Sequence, residues 1–261
     1  LREQHQFSEE FLQYLENFHF TGSIWAIPEG TVVFPNEPLL TVKAPIIEAQ
    51  LLETMLLLTL NHQSLIATKT SRIVKAAKGI PVMEFGARRA HGVDAAVYGA
   101  RASIIGGAVG TSCSLSAKKF HVSASGTMAH SWIQSFPSEY EAFKAYAETY
   151  PNSCTLLVDT YDVLQSGVPN AIRVFHDVLD PLGIRPKAVR LDSGDLAYLS
   201  KKVRKMLDEN GYPDCGICAT NSLDEFLITS LLEQGAKIDS FGVGENLITA
   251  KSNPVFGGVY K

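Results

Sequence analysis

The chain is poor in cysteine and tryptophan, with four and two among 261 residues. Thiols this sparse set up no disulfide framework and suit a reducing compartment, so a cytoplasmic setting is expected. No run of lysine or arginine occurs, and 23 basic against 27 acidic residues leave a formal net charge of −4. A mildly acidic chain without a basic stripe is a poor nucleic-acid binder, and no such partner is expected. Long apolar runs are also missing. The richest, 51–60, is interrupted by Glu53 and closed by Asn61-His62-Gln63. It falls short of the roughly 18–20 apolar residues of a membrane span, so no membrane partner is expected. No signal-peptide pattern opens the chain, and neither a low-complexity tract nor a clear repeat occurs. Residue 1 is Leu, and the opening segment reads like the inside of a folded protein, so a piece of a longer chain is expected.

What is present is an ordinary globular composition, 46% hydrophobic and 19% charged, long enough to bury a sizeable core. At about 100–200 residues per domain it makes one large domain or two small ones. Ser8-Glu9-Glu10 before Phe11, Leu12, Leu15 and Phe18 predicts a capped amphipathic helix. Short strands are expected over 22–27, 31–34 and 39–43, between Pro- and Gly-bearing turns. A helix, or two, follows from Pro45 to Lys78, with Gly79 as a C-cap candidate. From Gly79 onward, short apolar runs end in polar clusters and alternate with helical patterns. The runs are 81–85, 103–108, 120–124, 155–158, 188–191, 216–219 and 238–241, with 256–260 as a possible eighth. The clearest helices are 138–149, 170–182, 195–210 and 222–234. Seven or eight such units point to an α/β fold, an irregular (β/α)8-like barrel rather than an open doubly wound sheet.

In either architecture ligands gather at the C-terminal strand ends. There the sequence reads Glu84-Phe85-Gly86-Ala87-Arg88-Arg89, Gly110-Thr111-Ser112, Gly126-Thr127-Met128-Ala129-His130-Ser131-Trp132 and Asp159-Thr160-Tyr161-Asp162. It continues as Arg190-Leu191-Asp192-Ser193-Gly194-Asp195, Thr220-Asn221-Ser222 and Gly242-Val243-Gly244. Gly242 and Gly244 let backbone N–H groups approach an anion, or simply make a tight turn. The segment is no GxGxxG fingerprint, and the chain has no Walker loop. Arg190 can clamp a phosphate or carboxylate, and the nearby Asp side chains can meet sugar hydroxyls or Mg2+. Asp192 or Ser193 can equally cap the next helix. His130 suits acid, base or nucleophilic work, or is plainly exposed. Phe85 can stack on a flat ring that carries an anionic group for Arg88 or Arg89, or can pack in the core. Cys215 and Cys218 have metal spacing but lack two further ligands, and read as core.

Taken together these clusters resemble the nicotinate phosphoribosyltransferases, over essentially the whole chain. Further segments carrying the resemblance are Phe18-His19-Phe20-Thr21-Gly22, Pro28 to Pro35, Ile47 to Leu51 and Gly257 to Lys261. The resemblance implies a type II phosphoribosyltransferase that joins nicotinate to 5-phosphoribosyl-1-pyrophosphate, giving nicotinate mononucleotide and pyrophosphate in NAD biosynthesis. It implies coupled ATP hydrolysis through a phosphohistidine at His130, with Mg2+ accompanying pyrophosphate and metal ligands left unassigned. Thr127, Arg190, Phe85 and Arg88 would line the nicotinate pocket. Asp192 would face ribose beside Ser193 and Gly194, and Gly242 and Gly244 the 5′-phosphate. Residues 1–78 would be a partial N-terminal α/β domain with its connecting helix, and 79–261 the α/β barrel carrying the site. A homodimer with composite sites is implied as well. By the resemblance, an amino-terminal stretch and the rest of the C-terminal region would be expected beyond these residues, and Asn would be expected where Cys113 stands. The rivals are a nicotinamide or quinolinate phosphoribosyltransferase of the same fold, and a non-catalytic ligand-binding barrel.

Overall fold

A computed structural model describes residues 1–261. Two compact units divide the chain, 1–60 with 258–261, and 61–257.

In the first unit, helix α1 (Glu9–Glu16) starts where expected, the Ser8 hydroxyl accepting from Phe11 N. Strands β1 (Ser23–Ala26) and β2 (Leu40–Lys43) pair antiparallel, Ser23 opposite Lys43. The strand expected over 31–34 does not form. Val32 and Phe34 are exposed, no partner strand faces them, and Thr31 N closes a turn onto Pro28 O. Pro45 is followed by one uninterrupted helix, α2 (Ile46–Ala76), and the division between the units falls inside it. Its buried Glu48 accepts from Thr21 N and Thr21 Oγ1, both at 2.8 Å. The expected final strand, 256–260, is irregular, and its Tyr260 hydroxyl instead donates to Ala49 O.

The second unit is mixed α/β around a six-stranded parallel sheet of order β4-β3-β8-β7-β6-β5. These strands are β3 (Val82–Glu84), β4 (Gly110–Thr111), β5 (Thr155–Leu157), β6 (Ala188–Leu191), β7 (Gly216–Ala219) and β8 (Ser240–Val243). Leu156, Leu157, Val189, Leu191, Ile217, Ala219, Phe241 and Val243 are all fully buried. Adjacent positions on one strand point to opposite faces, so this sheet is covered on both sides. The cover comes from α3 (Val93–Ile105), α4 (Ser114–Phe120), α5 (His130–Gln134), α6 (Glu139–Thr149), α7 (Val168–Val174), α8 (Leu196–Glu209), α9 (Glu225–Glu233) and α10 (Glu245–Ile248).

The run 103–108, expected as a strand, is the last turn of α3 and a Gly-Gly turn. Its small residues serve close helix packing, since a Cβ at Gly106 would lie 2.6 Å from Ala67 O on α2. The strand comes just after, at Gly110. The run 120–124 is also corrected. α4 ends there on left-handed His121, and only Ala124 makes a parallel bridge, to Thr111. Strand β8 begins two residues later than expected, because the Asp239 carboxylate is engaged with Ile217 N. The helix expected over 170–182 begins earlier, in a π-helical turn at 163–167 capped by Asp162. Lys69, buried on α2, joins Glu225 at 2.6 Å and Ser252 at 2.9 Å, tying together the segments after β7 and β8.

Gly167 approaches β5 so closely that a Cβ would sit 1.8 Å from Val158 O. Both partners are buried backbone, so neither can swing aside. Gly167→Ala is expected to destabilise the protein by about 1–3 kcal/mol or more in urea unfolding, and an unchanged midpoint would contradict this contact.

Candidate functional site

Arg190 sits third in β6 between two fully buried apolar neighbours, and its own side chain is only 17% exposed. A guanidinium held this way must satisfy its donors locally. Nε donates to Thr220 Oγ1 at 2.9 Å, Nη1 to Thr127 Oγ1 at 2.8 Å, and Nη2 to Asp192 Oδ1 at 3.0 Å. The Thr220 hydroxyl in turn donates to the same Asp192 oxygen. Thus β6, β7 and the segment before α5 converge on one cation. Burial alone pushes the Asp192 carboxyl up. The Thr220 hydroxyl, Arg190 and His130 outweigh it and hold Asp192 below the usual carboxylate range.

The second oxygen of Asp192 faces His130 Nε2 at 3.4 Å, while His130 Nδ1 meets Thr160 Oγ1 at 3.1 Å. His130 opens α5 and keeps a 40% exposed ring, so it is anchored yet reachable. Behind it lies Asp159, at the end of β5, with Oδ1 4.0 Å from Nε2. Asp159 Oδ2 accepts from Asp192 N at 2.9 Å and from Ser193 Oγ at 2.5 Å. Asp159 Oδ1 is buried and has no hydrogen-bond partner. Helix capping, the plain alternative for Asp192 and Ser193, falls instead to Asp195, which accepts from Tyr198 N. Gly194 supplies the turn between them at φ 78°.

Phe85 is half-buried across the sheet, just after β3. The Arg190 Cζ lies 5.8 Å from its ring centroid, within cation–π range. Gly242 is part of β8 rather than of a loop after it. A Cβ there would come within 2.5 Å of Phe85 Cδ2 and 2.7 Å of Thr220 Cγ2, so glycine makes room for the ring. Gly244 precedes α10 and packs against the Phe85 carbonyl. Arg88 is exposed in the short turn 87–89 and is not part of the Arg190 cluster. The structure therefore gathers Thr127, His130, Arg190, Asp192, Ser193, Phe85 and Gly242 around one end of the sheet. Cys215 and Cys218 are buried free thiols in the core, and burial pushes both up, Cys215 to about 12.

Asp159, Thr160, Thr220 and Glu84 were recognised in the sequence only as members of polar clusters. Their signal is position, within two residues of the end of an apolar run; nothing in the sequence gives their direction. Glu84 is the least accessible of the four, fully buried at the end of β3. It accepts from Thr111 Oγ1 at 2.6 Å and from Gly86 N. Burial raises its carboxyl above the ordinary value, and these two hydrogen bonds only partly oppose the shift.

An arginine, two carboxylates, a histidine and an aromatic ring lie together at the C-terminal ends of the parallel sheet of an α/β protein, the end at which such folds carry their sites. Residues 1–61 match the nicotinate phosphoribosyltransferase (NAPRTase) N-terminal domain, and residues 80–256 match the nicotinate phosphoribosyltransferase (NAPRTase) family. The chain belongs to the nicotinate phosphoribosyltransferase family. It is 52% identical to the nicotinate phosphoribosyltransferase of Bacillus subtilis, over 97% of this chain and 56% of that one. It is 50% identical to nicotinate phosphoribosyltransferase pncB2 of Mycobacterium tuberculosis, over 100% and 56%. The crystal structure of human nicotinic acid phosphoribosyltransferase superposes with TM-score 0.84 at 29% identity, covering 91% of this chain and 58% of that one. The chain thus spans about half the length of the curated relatives it matches.

Lysine cannot reproduce a planar three-way fork. Arg190→Lys is expected to cost about 1–3 kcal/mol in chemical unfolding, with Thr127→Val costing less; equal stability of Arg190→Lys and the parent would refute the fork's role. For Glu84 the sign is opposite to that of a salt-bridged acid. Its native pKa is raised, so the native state binds the proton more tightly, and stability falls as pH rises from the ordinary carboxyl value through the native one. Melting temperatures across that interval should show this slope in the parent and lose it in Glu84→Gln.

Proposed function

We propose that the intact protein transfers a phosphoribosyl group from 5-phosphoribosyl-1-pyrophosphate to nicotinate, releasing pyrophosphate and forming nicotinate mononucleotide. The observation that carries this reading is the Phe85 ring beside Arg190 and Thr127, next to the His130–Asp192–Asp159 cluster. A flat anion suits an aromatic platform with a guanidinium at its edge. In the transfer, the bond from the anomeric carbon to pyrophosphate breaks and the pyridine nitrogen forms the new bond. Positive charge grows on the ribose, and the Asp192 carboxylate, held ionised, is placed to face it. Ser193 and Gly194 continue the same turn, and Gly242 and Gly244 flank the end of β8, where a 5′-phosphate would lie. Arg88, exposed in the turn after Phe85 and outside the Arg190 cluster, is read as a rim residue for the base on the family resemblance alone.

ATP is read as a co-substrate that passes its terminal phosphoryl group to a ring nitrogen of His130, leaving ADP. Water then returns His130 and releases phosphate. Mg2+ fits the carboxylates present. Asp159 Oδ1 is buried without a partner and Asp192 lies beside it, both hard oxygen donors. No cluster of three or more protein ligands occurs, and Mg2+ commonly takes one or two carboxylates and completes its shell with substrate phosphates. When bound, it would neutralise charge on the leaving pyrophosphate.

The finer architecture belongs to the same reading. From one edge to the other the sheet runs β5, β6, β7, β8, β3, β4, with Ala124 bridged next to β4, which is chain order around a circle left open between β4 and β5. This circular order supports an irregular (β/α)8-like barrel over 79–261, with 1–78 as part of an N-terminal α/β domain. A homodimer with composite sites rests on the family alone, and a cytoplasmic setting on the family and the sparse thiols; no helix is long and apolar enough to cross a membrane.

The test is product formation by the full-length protein from nicotinate, 5-phosphoribosyl-1-pyrophosphate and Mg2+, with and without ATP. Nicotinate mononucleotide is expected, in higher yield with ATP. His130→Ala should lose both the ATP effect and an acid-labile protein phosphate. Turnover of nicotinamide instead would overturn the base assignment, and an ATP effect that survives in His130→Ala would overturn the coupling role.

A further inference from the structure

Glu84 is a fully buried carboxyl with no cation against it, immediately before the aromatic residue of the site. Such a group is costly to keep unless its hydrogen bonds secure something. Its two oxygens secure different segments. One accepts from Gly86 N, across the Phe85 peptide unit, and the other from Thr111 Oγ1 at the end of β4. Thr111 Oγ1 also accepts from Cys113 N at 2.9 Å, and Ser112 N donates to the Glu84 carbonyl at 2.8 Å. On the other side, Phe85 N donates to Val243 O at 2.8 Å, and Gly86 packs against Ile248 and the Gly244 carbonyl. The Glu84 side chain therefore ties the exit of β3 to that of β4, while backbone contacts join the same turn to β8. The Phe85 ring lies at that turn, with only glycine-sized room at 242.

We propose that Glu84 is the positioning residue for the pyridine platform, its carboxyl and the Thr111 hydroxyl together fixing the Phe85–Gly86 turn so that the ring is pre-set to receive a flat base. This deepens, and rests on, the reading of the site as a nicotinate pocket. Because the Glu84 carboxyl accepts only from Gly86 N, beside the ring, and from the Thr111 hydroxyl, and bonds none of the groups read as facing the ribose or the 5′-phosphate, its loss should separate the two substrates. A ring that must be re-ordered at each binding event weakens base binding.

The experiment compares Glu84→Ala and Thr111→Val with their conservative counterparts, Glu84→Gln and Thr111→Ser, in the full-length protein. The first pair should raise KM for nicotinate about tenfold and leave KM for 5-phosphoribosyl-1-pyrophosphate within about twofold. The second pair should return both values to near the parent. Hydrogen exchange of the ligand-free protein should quicken at 85–90 in the first pair only. Thr111→Val keeps the test intact if Glu84→Ala fails to fold. Unchanged exchange at 85–90 in the first pair, or equal rises in both KM values, overturns the proposal. A parent that turns over no nicotinate overturns the functional reading instead, and the exchange result then decides the role of Glu84.

Discussion

A guanidinium placed inside a parallel sheet has no water to fall back on, and in this protein Arg190 meets that constraint by drawing three segments toward it. Thr127, Thr220 and Asp192 come from different parts of the chain, and each gives its oxygen to a different nitrogen of the fork. The rest of the strand-end arrangement follows. Asp192 stays ionised because the fork and the Thr220 hydroxyl compensate its burial. Its free oxygen then points at His130, and its backbone N–H is taken by Asp159. The charge at this end of the sheet is thus held by fixed dipoles and one cation, which is the preorganised condition under which electrostatic stabilisation is strong.

The same fork links chemistry to packing. The aromatic ring just after β3 comes close to Arg190 only because β8 carries glycine at 242. A methyl group there would occupy the space of the ring itself, so the shape of the pocket is set by a missing side chain as much as by the residues present. This is one physical reason why a short Gly-Val-Gly segment is informative at the end of a strand, although the first of its glycines proved to be inside the strand.

Much of the sheet was legible because its strands are continuous apolar runs with abrupt polar ends. Ala188–Leu191 and Gly216–Ala219 appear with the bounds the pattern gives, and the N-cap Ser8 is where side-chain chemistry places it. The runs near 103 and 120 misled for different reasons. Small residues such as Gly106 and Gly107 serve close helix packing as well as they serve a strand, and only the neighbouring helix decides, whereas the run near 120 contains the left-handed end of α4 at His121. In the site, Arg190, Asp192, His130 and Phe85 were legible from residue type and place. Asp159, Thr160, Thr220 and Glu84 were not, because their parts depend on which oxygen faces which donor across strands distant in sequence. Arg88 shows the converse: its residue type fits an anion site, yet in the structure it is exposed and outside the hydrogen-bonded cluster.

The buried Lys69–Glu225 pair has a consequence for how this fold can vary. Losing either partner alone would strand the other's charge away from water, at a cost of about 3–5 kcal/mol. Replacing both with apolar side chains of similar volume would cost little. The two positions, 156 residues apart in the chain, are therefore expected to change together or not at all across descendants of this sequence. A helix near the start of the chain and the segments that follow the last two strands are bound into one unit of inheritance by a single contact.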